Sequence, residues 1–325
     1  MIQKIDIAKY PIPGIKNLGI LIMSVTLMFT ALWQVQLNWM SYLMIPWIIV
    51  FVLVSNTIFS LLHEAVHGIF HPNKHVNKIA GRLCAFLFPT SFSLQQIYHL
   101  GHHRRNRTDY EMFDLYYESD SYFFKKLTII LMMTGFYWSS AFFSCLLFFL
   151  VPGFYKYDWF VKSKINRAFG FEAMLGGLRR KTTPFFTIWL EILSLLIFWL
   201  IIFKYFHLNF GTWILCYWCF GIAWGSLQYT DHAFTKRDIR NGAWNLKVST
   251  LIRLIYLNYH YHLVHHRYPN LPWCHLGKFV DKDEEQPGFF RIYFRLWRGP
   301  EKTFEKAPVL DSDFEKMIFE GTDYH

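Results

Sequence analysis

Apolar residues gather along this chain into five long runs that are nearly free of charge. Four of them, at residues 15–33, 42–62, 184–206 and 210–229, approach the roughly 20 residues that a helix needs to cross a hydrocarbon core. The fifth, 127–151, is also long enough. Its middle, however, reads Thr134-Gly135-Phe136-Tyr137-Trp138-Ser139-Ser140, a stretch where a helix breaks and turns back. It is therefore expected to lie in one leaflet as a re-entrant or interfacial hairpin. Residues 63–126 and 233–325 mix charge with short apolar segments and read as a helical cap. The expected fold is an all-α membrane protein, a single domain over 1–325, with no internal repeat, low-complexity tract or Gly/Ser-rich linker to divide it.

Charge gives the chain an orientation. A full crossing by 127–151 would place outside the membrane a loop that carries Lys156, Lys162, Lys164, Arg167, Arg179, Arg180 and Lys181 against only Asp158 and Glu172. The positive-inside bias opposes that arrangement. With four crossings the outer connections are 34–41 and 207–209, which contain no lysine or arginine. Both termini and the cap are then expected on the cytoplasmic face. The composition agrees: 53% hydrophobic and 20% aromatic residues in 325 are too apolar for an ordinary soluble domain. The net charge of +10 lies mostly between the apolar runs, so it faces anionic lipid and not nucleic acid. Five cysteines, three of them inside apolar runs, indicate no disulfide framework.

Three histidine clusters change the picture from a membrane protein to a membrane enzyme. His63-Glu64-Ala65-Val66-His67 stands where the second crossing leaves the membrane, and residues four apart share one helical face about 5–6 Å apart. His99-Leu100-Gly101-His102-His103 and His262-Leu263-Val264-His265-His266 each put three rings on one face. These clusters can share one site only if they lie on the same side of the bilayer, a second argument for four crossings. His232 directly follows the fourth crossing and emerges on that side, with Gln228 one turn before it, within reach of a metal-bound water. Nine imidazoles exceed what one ion needs, so two metals are expected. Imidazole suits iron, copper, nickel or zinc, so the donor set alone does not choose the metal.

His-x-x-x-His, then His-x-x-His-His about 30 residues on, then a late His-x-x-His-His trailed by Tyr268-Pro269-Asn270-Leu271-Pro272-Trp273, resembles the membrane fatty acid desaturase superfamily over residues 40–277. The resemblance implies an all-histidine di-iron centre at the cytoplasmic ends of a four-helix stalk, above an apolar substrate tunnel. Its ligands would be His63, His67, His99, His102, His103, His232, His262, His265 and His266. Gln228 stands where members of the family have a water-bridged polar residue. Chemistry points the same way, because removing hydrogen from an unactivated methylene needs a redox-active metal with dioxygen, and zinc is redox-silent. Glu64, Glu111, Asp114 and Asp231 are the carboxylates placed to receive the second N–H of ligating rings.

The implied activity is an oxygen-dependent desaturase acting on an acyl chain carried by a lipid or an acyl carrier. A lipid or carotenoid hydroxylase or ketolase is the alternative on the same site. A histidine-rich metal transporter is disfavoured because, apart from Glu191 and Lys204, the crossings carry nearly no charge. No bound haem, flavin or nucleotide is expected, so a separate ferredoxin, rubredoxin or cytochrome b-type partner supplies electrons. His71 and His75 are separated by Pro72, and His260 points about 160° away from the third cluster's face. None of the three is expected to ligate. Cys216-Tyr217-Trp218-Cys219 reads as packing within a crossing. Glu191 reads as an acid that orients substrate, pairs across the bundle or snorkels, and the 156–181 loop as a phosphate cradle or a topology signal.

Overall fold

The computed structural model describes residues 6–180, 184–310 and 312–319, which leaves Lys181 of the basic loop outside the described residues. The chain opens with two long apolar helices, α1 (Gly14–Leu37) and α2 (Met44–Val66). They are followed by α3 (Lys74–Leu87) and α4 (Phe92–Arg105), by the bent pair α5 (Tyr122–Met133) and α6 (Phe136–Leu150), and by the short α7 (Asp158–Val161), α8 (Lys164–Ala168) and α9 (Phe171–Arg180). Two more long apolar helices come next, α10 (Phe185–Tyr205) and α11 (Phe210–Thr230). The chain ends with α12 (Thr250–Ile255), α13 (His262–Arg267), α14 (Phe289–Arg298) and α15 (Ser312–Phe319). Two short strands, Leu115–Tyr116 and Glu301–Lys302, pair in parallel. Among the described residues, the four expected crossings are the four helices long and apolar enough to span a bilayer. Their ends differ from the sequence reading by a few residues: α1 runs on to Leu37, and α2 continues through the first histidine cluster.

The fifth apolar run breaks where its sequence is soft. α5 and α6 meet at Thr134 and Gly135 with a bend of 87°. Gly135 has φ +90, and a Cβ there would press on the backbone of Trp218 and Ile222 in α11, so only glycine fits the turn. A Cβ at Gly225 would likewise collide with the Met132 carbonyl, which lets α5 lie directly against α11. From the turn, α6 passes Trp138 over Tyr217 and then brings Phe148 onto Phe185 and Phe149 onto Trp189, at the start of α10. At the opposite end of the bundle, Gln36 donates to the His207 carbonyl and accepts from the Asn209 amide, tying the two Lys/Arg-free connections together.

α4 carries the second histidine cluster, and its first turn is anchored from the membrane side. Ser91 caps it by accepting from the Leu94 amide. Buried Glu191, on α10, accepts from the Ser91 hydroxyl (2.7 Å), the Ser93 amide (2.9 Å) and Arg82 Nε (3.0 Å). The acid is thus paired across the bundle, and its negative charge sits at the positive end of α4. Glu191→Gln keeps the shape and removes the charge, so it is expected to cost about 1.5–3 kcal/mol of stability. A thermal midpoint in detergent equal to wild type would contradict this.

Candidate metal centre

Four separate stretches bring nine histidines together. The end of α2 supplies His63 and His67, α4 supplies His99, His102 and His103, the turn after α11 supplies His232, and α13 supplies His262, His265 and His266. They sort into two groups, His63, His67, His99, His103 and His265 in one, and His102, His232, His262 and His266 in the other. Within each group the donor nitrogens all lie within 4.8 Å of one another. In the first group His67 Nε2 is 2.8 Å from His99 Nε2, which is 3.1 Å from His103 Nε2, which is 3.0 Å from His265 Nε2. In the second, His232 Nε2 and His262 Nε2 are 2.9 Å apart. The groups adjoin, with the rings of His103 and His266 centred 4.4 Å apart. Helical phase explains the sorting: His99 and His103, then His262 and His266, are pairs four residues apart, while His102 and His265 swing to the other group.

Hydrogen bonding alone does not satisfy this arrangement. A neutral imidazole nitrogen carries either one proton or one lone pair. Yet His99 Nε2 and His103 Nε2 each face two other Nε2 atoms. The buried His63 Nε2 and His266 Nε2 have no hydrogen-bond partner. Nitrogens bound to one cation at about 2.1 Å and at right angles lie about 3 Å apart, close to the spacings seen here. Burial also keeps the rings neutral, the form that binds metal. It pushes His67 down to about 3, helped by His102. It holds His99, His103, His232, His262, His265 and His266 well below the ordinary histidine value, with neighbouring rings adding to the effect in each. The residues therefore fit two metal ions with imidazole ligands.

A pH dependence follows for the metal-free protein. The unfolded chain takes up protons on these histidines near pH 6.5, whereas the folded chain does not, for His67 until about pH 3. Below pH 6.5 the unfolded state binds more protons, so folding stability falls as pH falls through this window. The thermal midpoint of chelator-treated protein is expected to be level above pH 7 and to drop progressively between pH 6.5 and 5. A level midpoint through pH 5 would contradict the neutral, buried rings.

The four acids have different partners. Glu111 Oε2 accepts from His102 Nδ1 (2.6 Å) and Oε1 from Arg105 Nε (3.0 Å). Burial pushes its carboxyl up, but His102 and Arg105 outweigh that and hold it below the usual range. His102 is thereby fixed with Nε2 toward its group. Glu64 instead accepts from the Trp273 amide (3.1 Å), joining the first cluster to the Pro-x-x-Pro-Trp segment. Asp114 is bound by Arg107, Tyr229 and the Phe234 amide. Asp231 is fully buried with neither oxygen hydrogen-bonded, and burial pushes its carboxyl well above the usual range. Glu111→Gln is expected to weaken metal binding about 10–100-fold, read by iron(II) titration of the metal-free protein. Unchanged affinity would remove Glu111 from this role.

Other contacts were not visible in the sequence. His232 Nδ1 donates to the Gly242 carbonyl (2.9 Å), which turns its Nε2 toward His262. Tyr259 stands between the groups, 5.1 Å from both the His63 and His262 rings, and donates to Gln228 Oε1 (2.9 Å). Gln228 Nε2 is buried without a partner. His71, His75 and His260 belong to neither group. Beside the histidines lies a cavity of about 530 Å³, walled by His99, His102, His232, Gln228 and Tyr259 at one end. Elsewhere its walls are mainly aromatic and aliphatic, drawn from α4, the hairpin, α8, α9 and α11.

The chain belongs to the fatty acid desaturase family, whose profile matches residues 37–297 and so covers all three clusters and His232. Together with the four apolar helices, this makes it an integral membrane protein of desaturase-like oxidoreductase type. Comparison with individually curated proteins gives no significant match.

Proposed function

We propose that the protein is a membrane desaturase that introduces a double bond into an acyl chain, its nine clustered histidines holding two irons. The observation that carries this reading is the junction of two imidazole groups with the end of an apolar cavity. Bound there, the two irons would supply the dioxygen-dependent removal of hydrogen from a methylene. The balance is two electrons and two protons from the acyl chain, two electrons from a separate ferredoxin, rubredoxin or cytochrome b-type donor and two protons from water, reducing dioxygen to two waters.

The chain's own residues set what that chemistry acts on. The cavity's aromatic walls exclude water and accept an extended hydrocarbon. Gln228 and Tyr259, joined by their hydrogen bond, close its histidine end. Glu111, through His102, and the Gly242 carbonyl, through His232, fix ring orientation in the second group. The whole chain acts as one unit, with 63–126 and 233–325 forming the cap. Both termini and the histidines lie on the cytoplasmic side, a reading supported by the positive-inside bias, while the tie between the two uncharged connections supports their sharing the far end.

Mass spectrometry of lipids from a host expressing the protein tests the reaction. Loss of two hydrogens from an acyl chain is the expected product. Gain of one oxygen in its place would make the enzyme a hydroxylase and overturn the desaturase reading.

A further inference from the structure

The reading of the site as a desaturase leaves open whether the acyl chain arrives on a soluble carrier or on a lipid, and the cavity's walls bear on this. One wall is a stripe of α6 that includes Phe136, Ser140, Phe143 and Leu147, the face opposite buried Trp138 and Cys145. Phe136 and Phe143 line the cavity and yet remain 49% and 62% exposed, so the cavity opens outward beside them. The opening is apolar. Phe136 packs edge-on against Trp218 (4.8 Å), which lies on one helical face with Ile214 and Ile222, both exposed on the spanning helix α11. The mouth is thus continuous with a bilayer-facing surface.

Charge argues against a phosphate-bearing carrier at this mouth. Among the described residues, the only Lys, Arg, Asp or Glu side chains lining the cavity are Arg105 and Glu111, and they pair with each other. In the adjoining basic segment, Lys162 and Arg179 are bound to Asp158 and Arg167 to Glu172, which leaves only Lys156 and Lys164 outside an ion pair among the described residues. A nucleotide thioester brings several phosphate charges that need cationic partners. An acyl chain sliding in from the bilayer needs none, because its head group stays at the membrane surface.

We propose that the substrate is the acyl chain of an intact bilayer lipid, admitted sideways from the membrane through the cleft beside α6. Ser140 lines this passage, its hydroxyl bonded to the Tyr137 carbonyl of its own helix, and it belongs to neither histidine group, so Ser140→Trp obstructs the passage without removing a metal ligand.

The experiment uses metal-loaded protein in nanodiscs of phosphatidylcholine, with either a phosphatidylcholine or an acyl-CoA that carries a photoreactive group in its acyl chain. Peptide mapping is expected to place the phosphatidylcholine label on Phe136–Leu150, with at least about tenfold less label in Ser140→Trp at unchanged iron content. In parallel, with dioxygen and a reduced ferredoxin, rubredoxin or cytochrome b-type donor supplied, deuterated phosphatidylcholine is expected to be desaturated at least about tenfold faster than deuterated acyl-CoA. Labelling of that segment by the acyl-CoA alone, desaturation of the thioester at an equal or higher rate, or lipid labelling indifferent to Ser140→Trp would each overturn the proposal. Lipid labelling of the cleft without any product would leave lateral admission standing and defeat the desaturase reading.

Discussion

Replacing His103 with alanine is expected to lower product formation more than about 100-fold, beyond the loss typical of a partner that only orients a ligand. His103 sits at the seam of the two groups. Its Nε2 lies 3.1 Å from that of His99 and 3.0 Å from that of His265, and its ring is centred 4.4 Å from His266 of the other group. Removing it opens the first group and the seam between the two. Lipid profiles of a host expressing wild type or His103→Ala check this. A profile change that persists in the variant would mean that the chemistry happens elsewhere.

The largest expected loss of stability comes from Arg107→Met. Arg107 and Asp114 are both fully buried, with paired contacts of 2.6 and 3.0 Å. Arg107 also donates to the Thr235 carbonyl, while Asp114 accepts from Tyr229 Oη and from the Phe234 amide. Burial pushes the Asp114 carboxyl up, but Arg107 beside it outweighs that and keeps it ionised below the usual range. The network ties the segment after α4 to the turn that carries His232, so it joins the second cluster to the fourth crossing. Methionine leaves the Asp114 charge buried and unpaired, a loss of about 3–5 kcal/mol. Denaturation in detergent measures it. Arg107→Met with Asp114→Asn is expected to be less damaging than Arg107→Met alone, and the opposite order would contradict the ion-pair account.

The four spans were legible because each is a run with at most two charged residues, and the hairpin because Thr134-Gly135 interrupts the fifth run. The end of α2 was less so: its apolar run stops at Leu62, whereas the helix continues to Val66 with His63 and Glu64 buried in it, as the four-residue spacing of His63 and His67 requires. The cap was legible only as a region. α12 and α13 have 6 residues each, too few for a hydrophobic period to declare itself.

Spacing in the sequence pointed to the eight histidines of the three clusters, because one-face geometry is local, and His232 was reached by its place directly after the fourth crossing. Helical phase sets His102 apart from His99 and His103, and His265 apart from His262 and His266, but the group that each odd ring joins depends on how α4 and α13 face each other, so the division into five and four was not legible. The acids show the same limit. Glu111 is nine residues from His102 and bonds to it, whereas Glu64, adjacent to His63, bonds to Trp273 from far along the chain. Tyr259 gave no signal, because one tyrosine among 19 has no distinguishing pattern until the fold sets it between two histidines.

Two imidazole groups that each hold one iron would give the protein a fixed metal content. Metal analysis of protein purified and reconstituted with iron(II) under anaerobic conditions tests it most directly. Two irons per chain are expected, falling when a ligand from either group, His67 or His262, is replaced by alanine. One iron or none per chain, or a stoichiometry that neither substitution alters, would contradict it.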